Sequence, residues 1–278
     1  MSASQSWLYV AGGDGPLLVS LPHTGTDIPP DIEPNLTSLR LAHKDTDWWI
    51  DRLYDFAHDL GATMLRTTIS RTVIDVNRDP SGASLYPGQV TTGLCPVETF
   101  DGEALYRAGH EPDEAEIARR RTLYFDPYHA ALSEEVARLR RSHPNIVLYD
   151  CHSIRSVVPR LFSGELPHMN IGTNSGTSCD PRLQQAIEAI CAASPFTWIA
   201  NGRFKGGWIT RHYGRPETGV HAVQMELACR GYMEEPVGAL SEANWPTRYS
   251  TSSSSPMIAA LMEILYACVT WTETPSAA

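Results

Sequence analysis

Short apolar runs alternate with longer stretches of helical periodicity along this chain, which predicts an α/β protein. The runs at 7–11, 17–21, 63–69, 72–76, 145–150, 197–200 and 220–227 read as strands. Helical spacing begins at Trp48, with Trp49, Leu53, Phe56, Ala57 and Leu60 on one side before Gly61 closes the segment. Further helices are expected over 113–141, stopped by Pro144, over 181–193, and over 256–271, with Ser255 as N-cap and Pro256 first. Three turn-rich stretches, 80–112, 155–180 and 201–219, read as long loops over a site. No internal repeat or linker divides the chain, so residues 1–278 are expected to form one domain.

Two of the strands end on histidine. Leu17 to Leu21 leads through Pro22 to His23-Thr24-Gly25, and Asn145 to Tyr149 leads to Asp150-Cys151-His152-Ser153. Open α/β sheets bind ligands beyond the carboxyl ends of their strands, so two histidines there suggest a metal site completed by a carboxylate. Asp45 and Asp47, just ahead of the helix at Trp48, offer that group, although N-cap of the helix is the other use for either. From Thr72 to Asn77 the alternation puts Val73, Asp75 and Asn77 on one face, with Arg71 and Arg78 beside them. Those residues make either an internal Arg–Asp ion pair or a guanidinium fork for a substrate carboxylate. Along 220–227, Ala222, Gln224 and Glu226 share a face. A carboxylate in so apolar a strand is costly unless paired or near a metal, which nominates Glu226 as general base. The loop from Asn201 to Gly214 adds Arg203, Lys205, Arg211 and His212 among paired glycines, suiting a phosphate-like nest or a closure over a small anion.

Composition narrows the classes. At 42% hydrophobic residues the chain can bury a sizeable core, and a formal charge of -10 argues against nucleic acid while leaving room for a small anion held by one or two arginines. The six cysteines are scattered without a metal or disulfide spacing, which points to free thiols in the cytoplasm. No export signal is visible at the N-terminus. The apolar run 256–271 is too short to span a bilayer and contains Glu263, so no membrane is expected. Two rivals to a metallohydrolase are a thiol or serine hydrolase using Cys151 or Ser153, and a metal or amino-acid binding module without a base. Cys151 and His152 are adjacent on an extended chain and point apart, which disfavours the first.

Six ordered motifs carry a resemblance. Ser20-Leu-Pro-His23-Thr-Gly25, His43 to Trp49, Ser70 to Arg78, Asp150-Cys-His152-Ser153, Phe204-Lys-Gly-Gly207 and Gln224-Met-Glu226-Leu together resemble the N-formylglutamate amidohydrolase (N-formylglutamate deformylase) family over about residues 15–270. The resemblance implies a three-layer α/β/α fold with a mixed sheet, zinc-exopeptidase-like (phosphorylase/hydrolase-like) and related to the aspartoacylases. It implies hydrolysis of N-formyl-L-glutamate to formate and L-glutamate, the last step of one histidine-degradation route, or of another N-acyl amino acid. In that wider group a divalent metal, Zn²⁺ here, sits on a His, carboxylate, His set, an Asn–Arg pair holds the substrate acid, and a glutamate activates water. His23, His152, Asn77, Arg78 and Glu226 match those roles. The zinc-exopeptidase glutamate would fall on Thr26, so the carboxylate is assigned to Asp47, with Asp45 and Asp27 behind it. Asp150 is expected to support His152, with Asp45 also behind the ligands. Arg71, Arg203 and Arg211 remain for a second substrate carboxylate.

Overall fold

The computed structural model describes residues 6–85, 88 and 90–274. Seven strands form one sheet: β1 (Leu8–Ala11), β2 (Leu17–Leu21), β3 (Thr63–Thr67), β4 (Ile146–Ile154), β5 (Met169–Gly172), β6 (Trp198–Ala200) and β7 (Val220–Ala228). Their order is β1-β3-β2-β4-β7-β5-β6. The centre, β3-β2-β4-β7, is parallel, while β1 and β5 join it antiparallel, giving the expected mixed sheet. The helices are α1 (Leu39–His43), α2 (Ile50–Leu53), α3 (Glu114–Arg120), α4 (Asp126–Ser142), α5 (Pro181–Ala193), α6 (Trp208–Tyr213) and α7 (Thr251–Glu273).

Because β2, β4 and β7 are buried on both faces, alternation sorts their residues into two cores. Val19, Tyr149, Cys151, Val223 and Met225 pack with α2, α5 and α7 on one face. Leu18, Leu148 and Ala222 pack with α4 and α6 on the other. The layers are therefore helix, sheet, helix. His152 and Glu226 lie on the same parity as Leu148 and Ala222, toward the carboxyl ends of their strands.

Several expected elements differ. The run 72–76 is a succession of turns, because Val73 N–H bonds Ser70, Thr72 Oγ1 bonds the Ala42 carbonyl and Asp75 N–H bonds Leu94. Its inferred two-faced alternation does not apply. The stretch 155–180 holds β5, and 201–219 holds α6. The stretch 80–112 forms no helix or strand among its described residues; 86, 87 and 89 lie outside them. The segment 48–60 is not one helix, since Trp49 adopts φ 64° and splits off a short α2 followed by a 3₁₀ turn, Asp55–Leu60. The 113–141 segment is two helices joined by a π-turn at Arg121–Phe125. The last helix is longer than expected. Ser250, not Ser255, is its N-cap, bonding Ser253 N–H, and Pro256 sits inside it. By length and hydropathy alone α7 could cross a membrane, but Met257, Leu261, Ile264, Leu265 and Cys268 are buried in the core.

Candidate active site

The strand frame positions two histidines. His23 follows β2 by two residues, and Gly25 beyond it presses so close to Thr68 and Ile69 that a Cβ would meet their backbone at 2.4 Å. His152 lies inside β4 rather than past its end, as that strand continues to Ile154. Asp47 reaches the same point from the connection between α1 and α2, its backbone N–H bonded to the His23 carbonyl. The two Nδ1 atoms stand 3.1 Å apart, His152 Nδ1 is 3.1 Å from Asp47 Oδ2, and His23 Nδ1 is 3.6 Å from it.

Each histidine is oriented from behind. His23 Nε2 is 2.7 Å from Asp75 Oδ1, and His152 Nε2 is 2.9 Å from Asp150 Oδ2. A carboxylate only accepts, so a proton on each Nε2 satisfies these contacts and turns the Nδ1 lone pairs toward Asp47; Asn77 Nδ2 also lies 2.8 Å from His152 Nε2. Two lone pairs and a carboxylate oxygen then converge with no donor among them. That arrangement suits a cation. Four tetrahedral ligands at about 2.0–2.1 Å from zinc would stand about 3.3 Å apart, which falls within the observed separations of 3.1 to 3.6 Å. In the metal-free protein a proton takes the place. Although burial works against it, Asp150 and Asp47 raise the His152 imidazole well above its ordinary value. Burial alone would raise Asp47 as well, but His152 and His23 hold it below the usual carboxylate range.

The remaining assignments separate. Asp45 is turned away, accepting Phe100 N–H at 2.6 Å and facing Arg155 at 3.4 Å. Asp27 is exposed and takes the Thr68 hydroxyl, so neither competes with Asp47. Neither aspartate caps a helix: the N-cap position of α2 is Trp49. Arg71 makes the internal ion pair: it is buried, bonds Asp47 at 3.3 Å and Asp75 at 2.9 Å, and lies over the Phe100 ring, while it also lines the cavity. Asn77 too is largely committed: Oδ1 accepts Ile209 N–H at 2.7 Å and Nδ2 donates to Asp150 at 3.0 Å. Arg211 donates to the Gly206 carbonyl and does not line the cavity.

That cavity, about 260 Å³, is lined on its polar side by His23, His152, Asn77, Arg78, Arg203, Gln224 and Glu226, and on its apolar side by Phe100, Ile154, Leu161 and Phe204. Arg78 bonds the Thr92 carbonyl and hydroxyl and stands 3.6 Å from Asp75. Arg203 ties Leu161 to Val90, joining two of the covering loops. Glu226 is the register partner of His152, and burial raises its carboxyl to about 7. Gln224 donates to Glu226 Oε2 at 3.1 Å and accepts Gly207 N–H at 2.7 Å. Cys151 is fully buried on the opposite face and its thiol is pushed well up by burial, which removes the thiol alternative. The sequence reading gave Asp75 only an ion pair with arginine, which Arg71 makes, and gave Gln224 no role. Their signal was there, a polar residue two positions from a nominated one, but its meaning depends on the turn and the neighbouring strand.

Trp49 adds backbone strain beside Asp47, since the left-handed region costs a non-glycine residue about 1–2 kcal/mol.

A family model described as N-formylglutamate amidohydrolase matches residues 15–233. Among curated relatives, an N-formylglutamate deformylase of Pseudomonas aeruginosa is 46% identical over 260 residues, covering 93% of this chain and 94% of its own. One of Pseudomonas putida is 43% identical over 257 residues, covering 92% and 93%. The fold matches the crystal structure of an N-formylglutamate amidohydrolase from Ralstonia eutropha with a TM-score of 0.75 at 24% identity, over 94% of this chain and 97% of that one. A gene product of Agrobacterium tumefaciens matches with a TM-score of 0.71 at 20% identity, over 97% and 96%.

Proposed function

Since the chain belongs to the N-formylglutamate amidohydrolase family, we propose that it hydrolyses N-formyl-L-glutamate to formate and L-glutamate with a divalent metal, zinc by its donor set, on His23, Asp47 and His152. The observation that carries the metal reading is the convergence of His23 Nδ1, His152 Nδ1 and Asp47 Oδ2, with both histidines on the wall of the cavity that Glu226 also lines. Asp47, Asp75, Asp150 and Glu226 outnumber Arg71 and Arg78 there, which favours a dication.

Bound at the triad, such an ion supplies Lewis acidity, polarising the formyl group and lowering the pKa of water from about 15.7 toward about 7. Glu226 takes the proton as the water oxygen bonds to the formyl carbon, and gives it to the amide nitrogen as the C–N bond breaks. A carboxyl raised to about 7 suits both halves of that transfer. Arg71, Arg78 and Arg203 are cavity-lining cations, and Arg78 and Arg203, less committed to buried carboxylates than Arg71, are assigned to the two substrate carboxylates. Asp75 and Asp150 hold the ligand rings, and Arg71 holds Asp47 and Asp75 together. All six cysteines are free thiols, which fits the cytoplasm.

The test is formate release from N-formylglutamate, N-formylglutamine and N-acetylglutamate. N-formylglutamine should be much the poorer of the formyl pair, because a cavity guanidinium would face a neutral amide. Equal kcat/KM for the two formyl compounds rejects the dicarboxylate assignment, and faster turnover of the acetyl compound favours a different acyl substrate.

A further inference from the structure

His152 lies within the paired strand β4 and His23 two residues past the paired strand β2, whereas Asp47 comes from the connection between α1 and α2, outside any ladder. Donors placed on loops are less well defined than donors on strands unless a supporting shell holds them. Ser153 N–H at 3.2 Å and Arg71 at 3.3 Å hold the Asp47 carboxylate, and the backbone on either side of it is held from far along the chain. Trp245 Nε1 donates to the Lys44 carbonyl at 2.9 Å, Tyr232 OH donates to the Trp48 carbonyl at 2.8 Å, and Trp49 Nε1 donates to the Thr247 carbonyl at 2.9 Å. The Arg52 guanidinium then lies 5.0 Å from the Trp49 ring and 5.8 Å from Tyr249, closing the contact from the other side. Asp47 is thus bracketed on both sides by anchored residues.

We propose that the segment 232–249 is a strap that positions Asp47 for the metal, acting through Trp245 and Trp49; this rests on the metal reading of the triad. Trp49 departs from ordinary backbone geometry at φ 64° two residues after Asp47, which turns the chain into α2 while the carboxylate stays aimed at His152. No strap residue lines the described cavity, so the strap acts on the metal site and leaves substrate contacts alone. Trp245 and Trp49 are positioning residues, and their loss has a signature that general destabilisation lacks: weaker metal binding in a folded chain, with KM unchanged.

The experiment uses the full chain and Zn²⁺ itself, titrated against a chromophoric chelator, with the visible spectrum of the Co²⁺-loaded protein as a second readout. Trp245→Phe keeps the ring and deletes one donor. Trp49→Gly suits the backbone conformation and deletes the other anchor. Each should weaken zinc by about fivefold, the worth of one net hydrogen bond. The Co²⁺ bands should shift, and at saturating zinc the KM for N-formylglutamate should match the parent. His152→Ala is the control for the metal itself. Parent-like zinc affinity in both tryptophan variants, with zinc lost in His152→Ala, overturns the strap and leaves the metal site standing. Parent-like affinity in His152→Ala overturns the metal reading and the strap with it.

Discussion

Asp75→Asn isolates the carboxylate behind His23. In the native site its Oδ1 takes the His23 Nε2 proton at 2.7 Å and the Asn77 N–H at 2.9 Å, while Oδ2 takes Arg71 Nη2 at 2.9 Å with Arg78 at 3.6 Å. An amide offers one acceptor and one donor in the same place. With its oxygen toward His23, its NH₂ confronts Arg71, donor against donor; flipped, it leaves His23 without an acceptor. Asp75 is fully buried and the Arg71 side chain is only 8% exposed, so solvent cannot compensate. Removing one member of a buried ion pair costs about 3–5 kcal/mol. Arg71 keeps Asp47 at 3.3 Å, which places this case near the lower end. At about 2–4 °C per kcal/mol for a chain of this size, Tm should fall by about 6–12 °C. Zinc affinity should drop about 10–100-fold, as for other partners of metal-binding histidines. Calorimetry and chelator competition on the same preparation measure both. Burial favours protonation of Asp75, but Arg78, His23 and Arg71 hold its carboxyl well below the ordinary range, so its contribution is complete above the unfolded pKa and lost only as pH falls through the depressed folded value. The Tm gap should therefore be constant from about pH 6 to about pH 8. A gap under about 2 °C with parent-like zinc affinity would refute this reading of Asp75.

Two further outcomes test the chemistry. Glu226→Gln keeps the shape and removes the proton acceptor, so kcat should fall at least ~10²-fold while zinc stays bound; unchanged turnover would move the base elsewhere. Because the His152 imidazole is raised above its ordinary 6.5 without metal, a bound ion must displace its proton. Zinc affinity should then climb with pH up to the raised folded value, with about one proton released per ion in calorimetry across buffers of different ionisation enthalpy. The sign is opposite for the metal-free fold, whose stabilisation by that proton is full below the unfolded value and lost as pH rises through the folded one. Zinc binding independent of pH would contradict the proton's presence.

Strands buried on both faces, β2, β4 and β7, were legible because unbroken apolar runs survive any tertiary context, and α5 carried its own Asp180 cap and Pro181 start. The four-residue β5 was hidden in a turn-rich stretch, since so short a strand borrows its stability from β7. Residues 72–76 misled in the opposite way: their alternation is real, but their hydrogen bonds go to Ala42, Ser70 and Leu94 instead of a neighbouring strand. Sequence put His23 and His152 just past strand ends and Glu226 inside an apolar strand. It left Asp47, Asp45 and Asp27 open, because only tertiary packing shows Asp45 turned toward Phe100 and Arg155 and Asp27 toward Thr68. The arginines were the least legible. Their sign is written in the chain, but whether a guanidinium serves a substrate or a neighbouring aspartate depends on burial, which separates Arg71 from Arg78.

The start of α6 works as a linkage with two outputs. Gly207 N–H holds Gln224, which holds Glu226; two residues on, Ile209 N–H holds Asn77, which holds Asp150 and through it His152. A Cβ on Gly207 would meet the Asn77 amide at 2.5 Å, so this junction has no slack. Glu226 and His152 cannot drift independently, because a displacement of that half-turn moves both. Change in the 201–207 loop is thereby pleiotropic: a substitution that reshapes the substrate end of the cavity is transmitted to the reacting end as well, so the two halves of the pocket are constrained to vary together.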